Sequence, residues 1–218
     1  MTSSPPAAPS ESSDSFREAT LAAFIKSLSA KSPTPGGGAV ASLVSALGAS
    51  LGQMVVAYSV GKEKLAEHDT DHRAALEELD MLARESLDLA DRDAQAYAAL
   101  NALWKLDRDD PKRREAWPGA VKAAITAPRE VLEISLRTIE RLQALCGTTS
   151  RMLDSDLAIA AVLAETAARA AAWNVRINLP LLDDQSERAS FEAHLAESLA
   201  RARDIAQEIE QRVMQRSK

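Results

Sequence analysis

Three consecutive glycines, Gly36, Gly37 and Gly38, follow Pro33, Thr34 and Pro35 and lead into a run from Ala39 to Val60 that carries no charged side chain. Prolines stiffen such an entry and disfavour helix before them, whereas glycines let the backbone take dihedrals and approach distances that a Cβ forbids. The unpaired N–H groups at the start of the following helix suit an anion or the polar edge of a ligand lying on the backbone. The same stretch also reads as plain close packing, in which Gly48 and Gly52, four apart, admit a neighbouring helix. It is neither a dinucleotide fingerprint, which needs a preceding strand, nor a P-loop, which needs Lys-Ser/Thr directly after the last glycine. Asp93 is the second candidate, because it interrupts an apolar helical seam. A carboxylate buried there alone costs several kcal/mol, so it is paired, hydrogen-bonded or turned into a wet cavity. Asp156 stands at one end of a further apolar face and Asn174 and Asn178 at the other; first-turn charge and core amides are the structural alternatives. Lys62, the first cation after the uncharged run, reads by itself as a solvated lysine near a helix C-terminus. His68 and His72 have the spacing to share a helical face, but no third ligand stands at recognisable spacing and their acidic surroundings suggest a solvated face rather than a metal site.

The elements that must position these residues are all helical. The spacing of Ser15 and Glu18 suggests a capping box, followed by Leu21, Phe24, Ile25 and Leu28 on one face. The run from Ala39 to Val60 is small or apolar on every face, the pattern of a central helix surrounded by protein. It is long enough for a membrane span, but its Ala, Gly and Ser content, Gln53 and amphipathic flanks argue for a core helix instead. From about Asp71 to Leu106, Ala75, Leu79, Leu82, Ser86, Leu89, Asp93, Ala96, Leu100 and Leu103 alternate by four and three, a bundle seam. Asp107 to Pro111 breaks that helix, Pro118-Gly119 suggests a further interruption, and Pro128 starts or kinks a helix that Gly147 stops. A small-residue helix follows from Ser155 to Pro180, and Phe191, Leu195, Leu199, Ala202, Ile205, Ile209 and Val213 form the stripe of a last helix from about Glu187 to Arg216. The expectation is an all-α bundle of six to eight helices around a buried central helix, with residues 15–218 as one domain and residues 1–14 as a disordered tail.

Composition narrows the function classes. The 218 residues are 46% hydrophobic but only 4% aromatic, which favours helices packed at short distance. A net charge of −6, without a basic stripe, argues against a nucleic-acid groove. The single Cys146 excludes an intrachain disulfide, lies on an apolar stripe as a packed thiol, and fits a reducing, cytoplasmic setting. The N-terminal stretch lacks the basic region and apolar core of a signal peptide.

The motifs KSPTPGGGAVASLVSALGASLGQMV, Gly61-Lys62, DAQAY at Asp93 to Tyr97, SDLAIAA at Ser155 to Ala161 and NVRINL at Asn174 to Leu179 occur in that order. Together they resemble the formiminotetrahydrofolate cyclodeaminase and methenyltetrahydrofolate cyclohydrolase family, from about Phe24 to Leu182. The resemblance implies an all-helical homodimer acting on one-carbon tetrahydrofolates beside the glycine loop, with no metal and no cofactor beyond the folate substrate, and without a membrane or nucleic-acid partner. It implies Pro35, Gly36, Gly37, Gly38, Asn174 and Asn178 as substrate-binding residues. Asp93 would carry proton transfer, Lys62 would place positive charge near a substrate carboxylate or the leaving group, and Asp156 would hold the donor-rich pterin edge. Two departures stand out: Ala39 replaces a frequent serine after the glycines, removing a hydroxyl, and Ala158 replaces a frequent glycine, which would narrow the pocket. The implied reaction is water addition to the 5,10-methenyl carbon or cyclisation of the formimino compound with loss of ammonia; a chain without an attached transferase domain favours the first. A noncatalytic folate- or anion-binding helical dimer and a purely structural module are the competing classes.

Overall fold

A computed structural model describes residues 15–216, and the expected tail over residues 1–14 lies outside them. Six α-helices carry the described residues: α1 (Leu21–Leu28), α2 (Gly37–Ala57), α3 (Asp69–Trp104), α4 (Pro111–Leu145), α5 (Asp154–Asn178) and α6 (Gln185–Arg216). Short 3-10 segments precede α3 and α5 and follow α5, and no strand occurs among the described residues. The all-α expectation is met.

Helix α2 is central, packed against α3, α5 and α4. It runs antiparallel to both α3 and α5: Ser45 meets Ser86 of α3, while Gly37 lies against Asn174 and Gly48 against Ala160 and Ala164 of α5. At Gly48 the α5 backbone comes so near that an added Cβ would sit 3.1 Å from the Ala160 carbonyl oxygen and the Ala164 nitrogen. Small residues on α5, with Ala160, Ala161, Ala164, Ala167, Ala168 and Ala171 all buried, complete this close seam. A layer of hydroxyls ties three helices together, with Ser45 Oγ 2.9 Å from Ser86 Oγ and 3.1 Å from Ser135 Oγ of α4. The helix is not enclosed on every side, however. Leu47 of α2 and Tyr58 at its C-cap are 50% and 63% exposed, so one apolar stripe along α2 remains open.

Several sequence expectations are corrected. Helix α1 begins at a Thr20 cap, whose Oγ1 accepts from Ala23 N–H, and not at Ser15. Ser15 and the Phe16 N–H donate instead to the Asp91 carboxylate of α3, so tertiary contact replaces the capping box. Helix α4 continues through both Pro118 and Pro128. Proline at 128 cannot donate to the carbonyl of Ala124 one turn earlier. The Nδ2 amide of Asn178 donates to that carbonyl at 3.0 Å, so α5 satisfies the acceptor which α4 leaves open. His72 is fully buried rather than solvated; its Nε2 lies 3.4 Å from Thr148 Oγ1, and burial, with His68 adding to it, pulls its imidazole below the ordinary value. Cys146 is half-buried, and burial pushes its thiol up, consistent with a packed group.

Candidate functional site

The glycine loop, the middle of α3 and the end of α5 converge on a cavity of ≈ 270 Å³. Gly36 is the N-cap of α2 and offers no side chain to its first turn, so the N–H groups there are available to a ligand. Gly36, Gly37 and Gly38 line one wall, Asp93, Ala94 and Tyr97 a second, and Asn174, Ile177 and Asn178 a third. Pro33, Thr34, Ala39 and Ala124 complete it.

Asp93 reaches this wall because Gly38 has no side chain: a Cβ there would collide with the Asp93 carboxyl, which lies directly over the backbone of α2. Close approach, rather than turn conformation, is what demands this glycine. The half-buried Asp93 carboxylate has no hydrogen-bond or ion-pair partner among the described residues. Burial alone raises its pKa from 3.8 to about 6. A carboxyl so placed can take up and return a proton near neutrality.

The asparagines are anchored from behind. Asn174 Nδ2 donates to the Ala170 carbonyl at 3.0 Å, while its Oδ1 faces Gly37, where an added Cβ would stand 3.1 Å away. Asn178 directs Nδ2 to the carbonyls of Ala124 and Asn174, both at 3.0 Å. Its donors therefore serve the scaffold, and what it turns to the cavity is acceptor capacity.

Six of the nine residues expected from the sequence thus meet: Gly36, Gly37, Gly38, Asp93, Asn174 and Asn178. Pro35 is adjacent but buried and does not line the wall, which Pro33 and Thr34 supply instead; an apolar ring without an N–H gains by turning inward. Lys62 and Asp156 lie at the opposite end of the molecule. Helix α2 separates Gly37 from the Lys62 end by about 30 Å at 1.5 Å per residue, and α5, antiparallel to it, carries Asp156 in its first turn. There Lys62 Nζ donates to Ser150 Oγ at 3.0 Å, Ser150 N–H donates to Ser59 Oγ at 3.0 Å, and buried Asp154 pairs with Arg216 at 3.2 Å. Ala158 belongs to that same end and does not narrow the glycine cavity, whereas Ala39 does line it.

Thr34 and Tyr97 are wall residues that the sequence reasoning missed. Tyr97 was within reach of it: one helical turn after Asp93, it must share that residue's face. A larger cavity of ≈ 420 Å³ between α4 and the start of α6, with Trp117, Val121, Ile125 and Phe191 in its wall, contains none of the expected site residues. Among the described residues no group of three or more His, Cys, Asp or Glu is placed to hold a metal ion.

Comparison with known proteins bears on this geometry. The family model described as formiminotransferase-cyclodeaminase matches residues 20–197. The formimidoyltransferase-cyclodeaminase of Rattus norvegicus is 34% identical over 176 residues, covering 78% of this chain and 32% of that protein. The chain therefore spans about a third of the length of such relatives. The methenyltetrahydrofolate cyclohydrolase of Methylorubrum extorquens is 28% identical over 171 residues, covering 77% of this chain and 82% of that protein. The solved structure of formiminotetrahydrofolate cyclodeaminase from Thermotoga maritima superposes with a TM-score of 0.75 at 25% identity, covering 91% of this chain and 96% of that one. With the match extending from the cap of α1 into α6 and including every wall of the cavity, the chain belongs to the formiminotransferase-cyclodeaminase family.

Proposed function

We propose that the protein is a one-carbon tetrahydrofolate enzyme that adds water to 5,10-methenyltetrahydrofolate, giving the 10-formyl compound. The unpartnered Asp93 carboxyl in the glycine-walled cavity carries this reading. A methenyl carbon shared between two nitrogens is cationic and electrophilic, and attack on it needs a base for water and an acid for the departing nitrogen. Ionised Asp93 takes a proton from water as the new C–O bond forms. The protonated carboxyl then returns that proton to N5, the C–N5 bond breaks, and the hydroxyl proton is released to solvent as the formyl C=O forms. The first-turn N–H groups of α2 and the acceptors of Asn174 and Asn178 hold polar edges of the substrate.

The similarity to the Methylorubrum cyclohydrolase, 82% of whose length is matched, supports water addition. Cyclodeamination is the second reading, supported by the names of the remaining relatives, and uses the same groups: N10 attacks the formimino carbon and ammonia leaves. We further read the protein as a cytoplasmic homodimer, the assembly that would cover the open α2 stripe, with the folate as substrate and no separate cofactor. The absorbance of 5,10-methenyltetrahydrofolate tests the proposal. Protein should accelerate loss of the methenyl band; if it does not, formation of that band from the formimino substrate identifies the cyclodeaminase, and silence in both assays leaves a folate-binding dimer.

A further inference from the structure

A second, wider cavity of ≈ 630 Å³ lies where α3 ends, α4 begins and the chain leaves α5. Trp104 and Trp117 give it an aromatic lining, their rings edge to face with centroids 6.3 Å apart. Arg108, Arg113 and Arg114 stand in its wall against one carboxylate, Asp183. The three arginines are not equivalent. Arg114 is paired with Asp109. Arg113 donates to the Leu106 carbonyl at 2.7 Å and lies 4.7 Å over the Trp117 ring, which fixes its guanidinium while leaving other donors of the fork unused. Arg108, exposed in the turn between the helices, has no hydrogen-bond or ion-pair partner among the described residues. The wall of the Asp93 cavity, by contrast, contains no Lys or Arg.

The two cavities lie along one track. Tyr97 and Trp104 on α3 are two turns apart, as are Ala124 and Trp117 on α4; on each helix the first lines the Asp93 cavity and the second lines the wider one, on the same face and about 10 Å further along. Half-buried Asn101 and Ala120 continue the two stripes between them. The end of α5 makes the same passage, from Asn178 in one wall to Pro180 and Leu181 in the other.

We propose that the wider cavity receives the p-aminobenzoylglutamate tail of the folate, with Trp104 against the aryl ring and Arg108 and Arg113 on the two glutamate carboxylates. The inference rests on the proposed one-carbon folate reaction, which places the reacting carbon at Asp93. A para-substituted ring and an amide carry the first carboxylate roughly 10 Å from N10, summed over bonds of ordinary length, which matches the step from Tyr97 to Trp104. Guanidinium forks suit carboxylates because they offer parallel, charge-assisted hydrogen bonds. Trp104, 42% exposed, presents an apolar ring to water that a stacked aryl group would cover. The separation also has an electrostatic reason. The methenyl carbon is cationic, so arginines beside Asp93 would repel the substrate, whereas two turns away they attract its tail without opposing its reacting end.

The test compares 5,10-methenyltetrahydrofolate with 5,10-methenyltetrahydropteroate, which has the same reacting ring and aryl group but no glutamate. Wild-type protein should prefer the folate by about 10-fold or more in kcat/KM, the worth of one charge-assisted hydrogen bond, and the difference should lie in KM because the tail binds alike in ground and transition states. Arg108→Ala removes an exposed, unpartnered side chain and should spare the fold; it should raise KM for the folate and shrink the preference several-fold, and Arg113→Ala should shrink it as well. Equal use of both substrates by the wild type, or a full preference kept by Arg108→Ala, would overturn the tail site and leave the proposed reaction standing. A wild type that hydrolyses neither compound would remove the reaction instead. Calorimetric titration with tetrahydrofolate and tetrahydropteroate then decides the tail site by itself: tighter binding of the folate that Arg108→Ala abolishes upholds it, and equal Kd values or no binding of tetrahydrofolate overturn it.

Discussion

The carboxyl of Asp93, raised to about 6 by burial, must be ionised before it can take a proton from water. The hydrolysis rate at limiting substrate should therefore rise tenfold per pH unit below about 6 and level above it, as a pH–rate profile will show. Asp93→Asn should fold normally and lose on the order of 100-fold or more in kcat, the usual contribution of a positioned base. Stability should move the other way. A carboxyl whose folded pKa exceeds its unfolded value binds its proton more tightly in the folded state, so stability from this group is lost as pH climbs from about 4 through about 6. Above that window the native protein holds an unpaired, half-buried charge, and Asp93→Asn should raise stability at pH 7 by on the order of 2 kcal/mol. Parallel denaturant titrations of the two proteins at pH 4 and pH 7 check this: the difference should be largest at the higher pH. The sequence made this residue conspicuous because a carboxylate on the seam of Leu82, Leu89 and Leu100 has no place in a dry core. It did not reveal that the carboxylate would lie over a glycine backbone without a partner, since that depends on which residue of α2 stands opposite.

At the scale of elements, Gly38 and the pair Pro128–Asn178 show how helices are fitted to hold that carboxyl. Gly38→Ala places a methyl group where Asp93 now sits, so the carboxyl must turn away or α3 must retreat. Activity should fall by on the order of 100-fold, with a loss of about 1–3 kcal/mol if the helices separate, measurable by kinetics and denaturant unfolding. Asn178 has a scaffold task beside its place in the cavity wall, because its amide occupies the Ala124 carbonyl that Pro128 leaves free. Asn178→Ala should therefore destabilise the native protein by about 1 kcal/mol, and less in a Pro128→Ala background, where a backbone N–H again reaches that carbonyl. A double-mutant cycle on unfolding free energies measures the coupling; additive costs would contradict the pairing. Helix-breaking residues are legible in the chain, but not their neighbours. Proline was therefore expected to interrupt α4, and only the packing of α5 against it shows how the break is bridged.

For the whole molecule, the open α2–α5 face predicts association. Trp173→Asp, which changes a 71% exposed side chain, should spare the fold of one chain yet yield monomers by light scattering and lower folate turnover together with association. A soluble wild-type monomer with full activity would contradict that prediction. Helical periodicity, glycine and alanine at close-packing positions and the absence of convincing strand patterns determined, from the sequence alone, an all-α bundle with α2 at its centre and a glycine-led entry to that helix. They also singled out Asp93 and Asn174, each polar on an otherwise apolar helix face, and both line the cavity. Tertiary structure decided which of the polar residues meet. It buried His72, turned Pro35 inward, brought Thr34 and Tyr97 to the cavity, and put Lys62 and Asp156 at the far end. The reason is physical: spacing along a helix specifies the face a side chain occupies, but the direction in which two helices pack, and the residue each presents at a given height, follow from the fit of whole surfaces.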